Sequence, residues 1–462
     1  MYISKAITKS GFFFTPSQPD SKHPGILTIS EGGRAEIEIT AKTVAFSTAN
    51  EMEIGWLIGE VEGGYVTLEG CAYRKISLAF GSPAKSLITA DAVYEGIGFT
   101  KPPTFASVDF SVDGLSEWLG RSAFKINIKE RFEDHSITIE QQEPISCKLP
   151  DETSLEIKCE IKIPGSIKYP IIELFQQAYI TVTPPQPMTL RHYQKLSHQI
   201  TRFFSFLIGK SAAIHSMVGE TADDQLHHSQ KKVRIYFKSL NGTTKKDFSG
   251  HDMLLTYSKL GSKFVPLLSA WMKNYDKLTP ALHHHYSLQD DSHRYADTKF
   301  IAIAQAIEAL HRRTHNTLKW PKEEYRKKLK DILGGCPGTD RDWLNSKLAH
   351  GNEITLAERA HELTDRFGDI FGGESKVHQI VRGLVNTRNY HAHYDPEGER
   401  KALKGAALVG LTYSLQAVFI LSILVHLGYT VTEAIEISKS PYLHRILTTA
   451  ESLRRAEEVE TN

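Results

Sequence analysis

An arginine, a polar residue directly after it and a histidine five positions beyond the arginine are parts that can cleave RNA without a metal ion. The chain carries them as Arg388-Asn389-Tyr390-His391-Ala392-His393, just before the pair Asp395-Pro396. RNA brings its own nucleophile, the 2'-OH, so a cleaving protein has to help that hydroxyl lose its proton and to stabilise the charge that builds on phosphorus. Histidine takes or gives a proton near neutral pH, and arginine stays charged and grips phosphate oxygens with a planar fork. The spacing needs a further step. On an ideal helix Arg388 and His391 share a face, whereas Arg388 and His393 point apart. Pro396 biases Asp395 out of the helical region, so the helix is expected to end between residues 392 and 394, which lets His393 turn back toward Arg388. Asn389 would then hold a side chain or the frayed backbone in place. Arg388, His393 and Asn389 are the candidate catalytic residues, and His391 could replace or assist His393.

By itself the pattern is weakly specific. The chain has 21 histidines, and a looser spacing of four to six intervening residues is also met by Arg191 with His198 on another expected helix. A solvated, capped helix end would look the same, so the elements around the motif have to decide.

Those elements belong to a chain of 462 residues, long enough for two or three domains, with the 24% charged and 40% hydrophobic content of soluble globular protein. Net charge is +1, so a nucleic-acid surface would have to be a local patch. The four cysteines, Cys71, Cys147, Cys159 and Cys336, form no Cys-x-x-Cys pair, which argues against a zinc site or a disulfide scaffold and fits a reducing cytoplasm. The first residues do not have the form of a secretory signal.

Residues 1–185 read as a β-rich sandwich or barrel-like domain. Residues 55–61 and 65–72, joined by Glu62-Gly63-Gly64, form a hairpin signal, and residues 86–95, 104–112, 136–140, 155–163 and 179–183 add strands. Pro184-Pro185-Gln186-Pro187 marks a boundary. Residues 186–290 read as a mixed extension, with a helix over 190–208, a strand over 233–237 and a helix over 264–278. His283-His284-His285, with Asp290, Asp291 and His293, invites a metal reading. Three adjacent histidines point in different directions, so a solvated loop is the better expectation.

From residue 291 on the pattern is helical. Residues 294–311 carry the apolar stripe Phe300, Ile303, Ala304, Ile307 and Leu310. Lys322, Arg326, Lys327, Lys328 and Lys330 on the next helix, close after Arg312 and Arg313, make the best local basic patch, a candidate for RNA backbone contact or a solvated face balanced by Glu323, Glu324 and Asp331. Residues 334–338 lack the Lys-Ser/Thr ending of a phosphate loop and read as a turn. Further helices are expected over 341–348, 355–371, 376–392 and 397–427. Between Lys404 and His426 there is no charged residue, and residues 406–425 match the ~20 that a membrane span needs. Thr412, Ser414, Gln416 and Ser422 favour a helix buried in a bundle and a subunit interface instead, and no membrane is expected.

Two resemblances follow from particular residues. Glu53-Ile54-Gly55-Trp56-Leu57-Ile58-Gly59 with Gly64-Tyr65-Val66-Thr67-Leu68-Glu69-Gly70-Cys71, followed by residues 105–119, resembles the N-terminal domain of ApeA-like anti-phage proteins. Trp56, Trp118 and Cys71 are expected to be core residues there. The run Phe300-Ile301-Ala302-Ile303-Ala304-Gln305-Ala306-Ile307-Glu308-Ala309-Leu310-His311, with the Arg-Asn-x-x-x-His stretch, resembles the ApeA-like branch of the HEPN superfamily. The implied architecture is α+β and multidomain, ending in an all-α HEPN bundle over residues 291–462. The implied activity is that of a metal-independent endoribonuclease of abortive-infection defence, leaving a 2',3'-cyclic phosphate and a 5'-hydroxyl. Its expected partners are RNA, with tRNA as one candidate, a second copy in a homodimer whose motifs face each other, and a phage-derived protein as candidate trigger. No cofactor is implied. Arg388, Asn389 and His393 match the family's motif, and Glu308 is a candidate to orient a histidine or pair with Arg388. The alternative is a non-catalytic HEPN-type sensor that binds a nucleotide or a partner, with ligand recognition in the β-rich domain.

Overall fold

The computed structural model describes residues 3, 5–46, 52–78, 83–128, 135–163, 165, 170–222, 232–239, 247–289 and 294–460. The chain folds as two compact units, Met1–Met272 and Lys273–Asn462.

In the first unit, alternation of apolar and polar residues builds antiparallel strands that close on themselves. These are β1 (Ile7–Phe14), β2 (His23–Ile29), β3 (Ala35–Ala41), β4 (Glu53–Val61), β5 (Gly64–Ser77) and β6 (Ala84–Ala90). Their order is β5-β4-β1-β2-β3-β6, and β6 pairs back to β5, making a six-stranded barrel. Ala35, Ile37 and Ile39 face its core while Glu36 and Glu38 face out, the period-two pattern of a strand covered on one side. The turn between β4 and β5 is the expected one: Val61 pairs with Gly64, and Gly63 and Gly64 take φ of 90° and 124°, backbone that favours glycine. At Gly59 a Cβ would lie 2.5 Å from the buried Phe13 ring, so the barrel closes there only on glycine.

The sheet also extends beyond the barrel. The chain goes on through β7 (Ala92–Glu95), β8 (Thr104–Val112), α1 (Leu115–Leu119), a separate hairpin of β9 (Phe124–Asn127) with β10 (Ser136–Ile139), then β11 (Ile145–Lys148), β12 (Ser154–Lys162), β13 (Phe175–Thr183) and β14 (Met188–Thr189). Next come α2 (Leu190–Ile208), β15 (Ile214–Thr221), β16 (Lys232–Phe237) and α3 (Tyr257–Leu260). β5 is long enough to pair with β7 through residues 66–69 and with β6 through residues 72–77, and from β7 the order runs β16-β15-β8-β13-β12-β11. Trp118 and Cys71 are core residues, the Trp118 indole donating to the Leu255 carbonyl at 2.9 Å. The proline-rich stretch is therefore no domain boundary. Residues after it supply β15 and β16, which sit between β8 and β7 because the sheet needs them to be continuous.

α4 (Phe264–Gln289) carries the chain into the second unit. It is longer than its expected 264–278, and the chain divides within it, at residue 272 and not 290. The three histidines lie on this helix and not in a loop. Their neighbours explain it: Leu278, Ala281, Leu282, His285 and Tyr286 recur at helical spacing and are all buried, and His285 stacks on Phe419 at 4.8 Å. Asp290, Asp291 and His293 lie outside the described residues.

The unit continues through α5 (Ala296–Thr314), α6 (Lys322–Gly334), α7 (Arg341–Leu348), α8 (Leu356–Thr364), α9 (Gly368–Phe371), α10 (Glu374–His393), α11 (Pro396–Glu399), α12 (Gly405–His426), α13 (Val431–Ser438) and α14 (Pro441–Glu460). α11 and α12 replace one expected long helix, because Asp395 caps a new turn started by Pro396 and the chain breaks again before Gly405, at φ 51°. Among the described residues α12 is the one helix long and apolar enough to cross a membrane. It packs against α5, α10 and α14, and Leu411, Leu415, Val418, Phe419, Ile420, Leu421 and Ile423 are all buried. One chain covers it, so its apolarity requires no subunit interface.

The connection from α11 to α12 is tied to the motif helix by one hydrogen bond: the Leu403 N–H donates to Oγ1 of the fully buried Thr387 at 3.0 Å. Thr387→Val keeps the shape and removes the acceptor, stranding that N–H. We expect a loss of about 1–3 kcal/mol, read as a lower Tm of the helical unit by about 2–4 °C per kcal/mol. An unchanged Tm would show that water satisfies the amide.

Candidate active site

Three helices of the second unit, α4, α5 and α10, wall a cavity of about 700 Å³. α4 contributes His283 and His284. α5 contributes Asp297, Ile301, Gln305 and Glu308, which lie along one face at spacings of three and four. From α10 come Arg388 and His391, one turn apart, and the capping Tyr394. α5 is held in register by Phe300, Ile303, Ile307 and Leu310, the expected stripe, all at most 1% exposed.

Arg388 is partly exposed, and its Nη2 lies 3.6 Å from Glu308 Oε2. The other oxygen of Glu308 takes the tighter contact, 3.1 Å from Nε of Arg312 one turn along α5. Of the two roles expected for Glu308, it takes the one toward Arg388. His391 is half-buried, with its ring 6.1 Å from Phe300, 5.1 Å from Tyr390 and 6.0 Å from Tyr394, perpendicular to the last. Asn389 is exposed, and its Oδ1 accepts a long 3.5 Å contact from Arg388 Nη1.

His393 differs from expectation. The helix does end within residues 392–394, but its last turn is closed rather than frayed. Tyr394 adopts left-handed backbone at φ 49° and returns its N–H to the Tyr390 carbonyl at 2.6 Å, while Asp395 accepts from the Gly398 N–H at 3.2 Å to start α11. His393 therefore stays on the helix as its final residue, exposed, and does not line the cavity that holds Arg388. Asn389 and His393, four residues apart, share a different, solvent-facing strip of α10.

Arg312, Arg313, Lys322, Arg326, Lys327, Lys328 and Lys330 lie outside this cavity. Arg312 is taken by Glu308 and Glu353, Arg326 pairs with Glu323 at 2.7 Å, and Lys328 pairs with Glu324 at 3.5 Å while lying over the Trp320 ring. Those three cations are balanced by neighbouring acids, as for a solvated face.

A chain of charged groups that sequence reading did not find runs on from Glu308. Arg312 Nη1 lies 2.6 Å from Glu353 Oε2, and Arg359, buried, lies 3.4 Å from the same oxygen. Arg359 Nη1 is 3.2 Å from Nδ1 of the fully buried His311, whose Nε2 is 2.7 Å from Glu362 Oε2. Arginine can only donate, so His311 accepts at Nδ1 and its Nε2–H donates to Glu362. The Arg312 hydrogen bond, aided by His350, holds the Glu353 carboxyl below its ordinary range. Burial pushes His311 down, against the pull of Glu362, and burial first, then the electrostatic effect of His311 stacked at 4.6 Å, pushes His315 down. Glu353, Arg359 and Glu362 come from turns and helices remote in sequence from α5, and no local spacing announces them.

A guanidinium at a cavity that also holds imidazoles can bind a phosphate and move a proton next to it. Comparison with known families agrees with the architecture. Residues 8–271 match ApeA N-terminal domain 1, and residues 301–433 match the Apea-like HEPN domain. The fold is thus that of a β-rich ApeA-type domain followed by a HEPN helical domain, a class typically of nucleases that commonly dimerise and act on RNA. The chain belongs to the ApeA family. No curated protein and no solved structure matches it.

The buried histidine makes stability depend on pH with a definite sign. The folded-state pKa of His311 lies below its ordinary 6.5, so its contribution is fully present above about pH 6.5 and is lost as pH falls from there through the lowered folded value. His315 acts in the same direction. Tm measured between pH 7.5 and 5.5 should fall toward acid, and His311→Gln should flatten that slope. Equal slopes for the two proteins would remove His311 from the account.

Proposed function

We propose that this chain is a metal-independent endoribonuclease of anti-phage defence, cleaving RNA by attack of the 2'-OH, with the β-rich unit sensing a trigger or regulating the helical one. Arg388 binds the scissile phosphate and stabilises its transition-state charge, His393 transfers a proton, and Asn389 helps orient the guanidinium. The observation that carries this reading is the Arg388–Glu308 pair at the edge of a histidine-bearing cavity, within the stretch that matches a family of RNA-directed domains. Asn389 and His393 are exposed on a strip beside Arg388, and a second copy related by a two-fold axis would bring the two strips to one cleft. A phage-derived protein is the trigger class that such a defence role calls for, and tRNA is one substrate to test.

A second reading is favoured by the geometry within one chain. His391 lines the same cavity as Arg388, on the same face of α10, and could be the proton-transfer group with no partner subunit.

Variants separate these readings, with cleavage of total RNA and of defined tRNA as the assay. His393→Ala should lower the rate ~100- to 10,000-fold, the usual worth of general acid–base assistance, and Arg388→Ala ~100- to 1,000-fold, the usual worth of one group that stabilises transition-state charge. Arg388→Lys should be nearly as damaging, since an ammonium has no bidentate fork, and His391→Ala should cost far less. A dead His391→Ala beside an active His393→Ala would move the chemistry to the second reading, and full activity in all of them would end both. Cleavage should persist in EDTA and fail on DNA, which has no 2'-OH. Loss of activity on chelation would overturn the metal-independent mechanism.

A further inference from the structure

Between α5 and α8 the chain leaves the helical bundle as an arm. From Arg312 to Glu353 none of the described residues is buried. α6 and α7, of 13 and 8 residues, pack chiefly on each other, and Trp343 and Ile332 stand 63% and 50% exposed. Isolated helices shorter than ~12–15 residues are marginal in water, and a segment with few buried apolar contacts opens at the lowest local cost. The arm is closed at its base. Leu318 and Glu353 form an antiparallel bridge, and the Lys319 N–H donates to the Asn352 carbonyl at 3.0 Å. The Asn352 side chain clasps Trp320, accepting from its N–H at 2.9 Å and donating to its carbonyl at 3.0 Å.

That base is also one end of the ionic chain that reaches Arg388. Arg312 divides itself between two carboxylates, and its shorter contact, 2.6 Å, goes to Glu353 at the base, against 3.1 Å to Glu308. Glu308 is divided in turn, with Arg388 at 3.6 Å as its looser partner. In such an alternating chain, withdrawing the terminal anion strengthens the next pair and weakens the one after it. Without Glu353, the whole fork of Arg312 can turn to Glu308, a bidentate pairing that occupies both carboxylate oxygens and takes Oε2 from Arg388.

We propose that the α6–α7 arm restrains Arg388. With its base closed, Glu353 draws Arg312 aside and leaves Glu308 an oxygen for Arg388; with its base open, Arg312 takes Glu308 whole and Arg388 is released to a phosphate. Glu353 and Arg312 are then positioning residues, acting on Arg388 only through Glu308. The meaning of the restraint for RNA cleavage rests on the role proposed for Arg388 above, whereas the restraint itself is read without RNA.

The test is the rate at which phenylglyoxal, an arginine-specific dicarbonyl, modifies Arg388 in the full chain, followed by mass spectrometry with the exposed Arg382 as internal control. Glu308→Gln and Glu353→Gln should each speed modification of Arg388 up to about fivefold, the full worth of one partly exposed ion pair, and leave Arg382 unchanged. The double variant should be no faster than Glu308→Gln alone, since the effect of Glu353 passes through Glu308. Asn352→Ala opens the base without touching the ionic chain. It should speed modification of Arg388 in the same direction, together with hydrogen exchange of the α6 and α7 amides, and it gives the reading if Glu353→Gln, which strips the buried Arg359 of a carboxylate, unfolds. Cleavage should rise by the same factor in Glu353→Gln and Asn352→Ala. If every variant leaves RNA intact, the nuclease reading fails and the modification rates still decide the restraint. Unchanged or slower modification of Arg388 in these variants would overturn the proposal, additive effects in the double variant would overturn the route through Glu308, and a response to Glu353→Gln without one to Asn352→Ala would overturn the role of the arm.

Discussion

The arrangement around the motif helix depends on one carboxylate shared between two guanidinium groups. Glu308 gives its shorter contact, 3.1 Å, to Arg312 and its longer one, 3.6 Å, to Arg388. Partly exposed pairs of this kind contribute ~0–1 kcal/mol each, so the bond to Arg388 is weak enough to be exchanged. A phosphate oxygen that takes Arg388 leaves Glu308 still paired with Arg312, so the exchange strands no charge. Because Arg312 is also bound to Glu353, and Glu353 to Arg359, the carboxylate keeps its place when Arg388 lets go.

That joint is positioned by apolar packing rather than by charge. Phe300, Ile303, Ile307 and Leu310 hold α5 against α12, and the helical repeat then brings Glu308 to the cavity and His311 to the interior. His285 and His311 show how little the identity of a histidine says about its role. One is stacked on Phe419 in the core, the other is wired between Arg359 and Glu362, while His391 faces the cavity and His393 faces solvent.

Much of this was legible in the residues. Apolar or alternating runs and β-branched or aromatic content marked β4, β5, β8, β12, β13 and β16, and helical patterning marked α2, α5 and α10, to within a few residues. Closure of the barrel was not, since the pairing of β6 with both β3 and β5 joins segments whose local patterns say nothing of their partners. At the site, Arg388, His391 and Glu308 could be placed because each lies on a helix with a readable face. The orientation of His393 could not, because it turns on Tyr394 taking left-handed backbone, which tyrosine rarely does and no local rule predicts. Proline at 396 was rightly read as the end of a helix, but it also begins the next one.

The uninterrupted apolarity of α12 has a consequence for how the protein comes to exist. During synthesis the 22 residues of Gly405–His426 leave the ribosome before α14, which supplies one of the walls against which they are buried. Until Pro441–Glu460 follows, the face that receives Ala450 at Gly410 is bare to water, and a nascent chain with such a face is open to wrong association. The helix that forms the inside of the finished bundle is therefore, for the time needed to make the next thirty or so residues at roughly 5–20 per second, its most vulnerable outside.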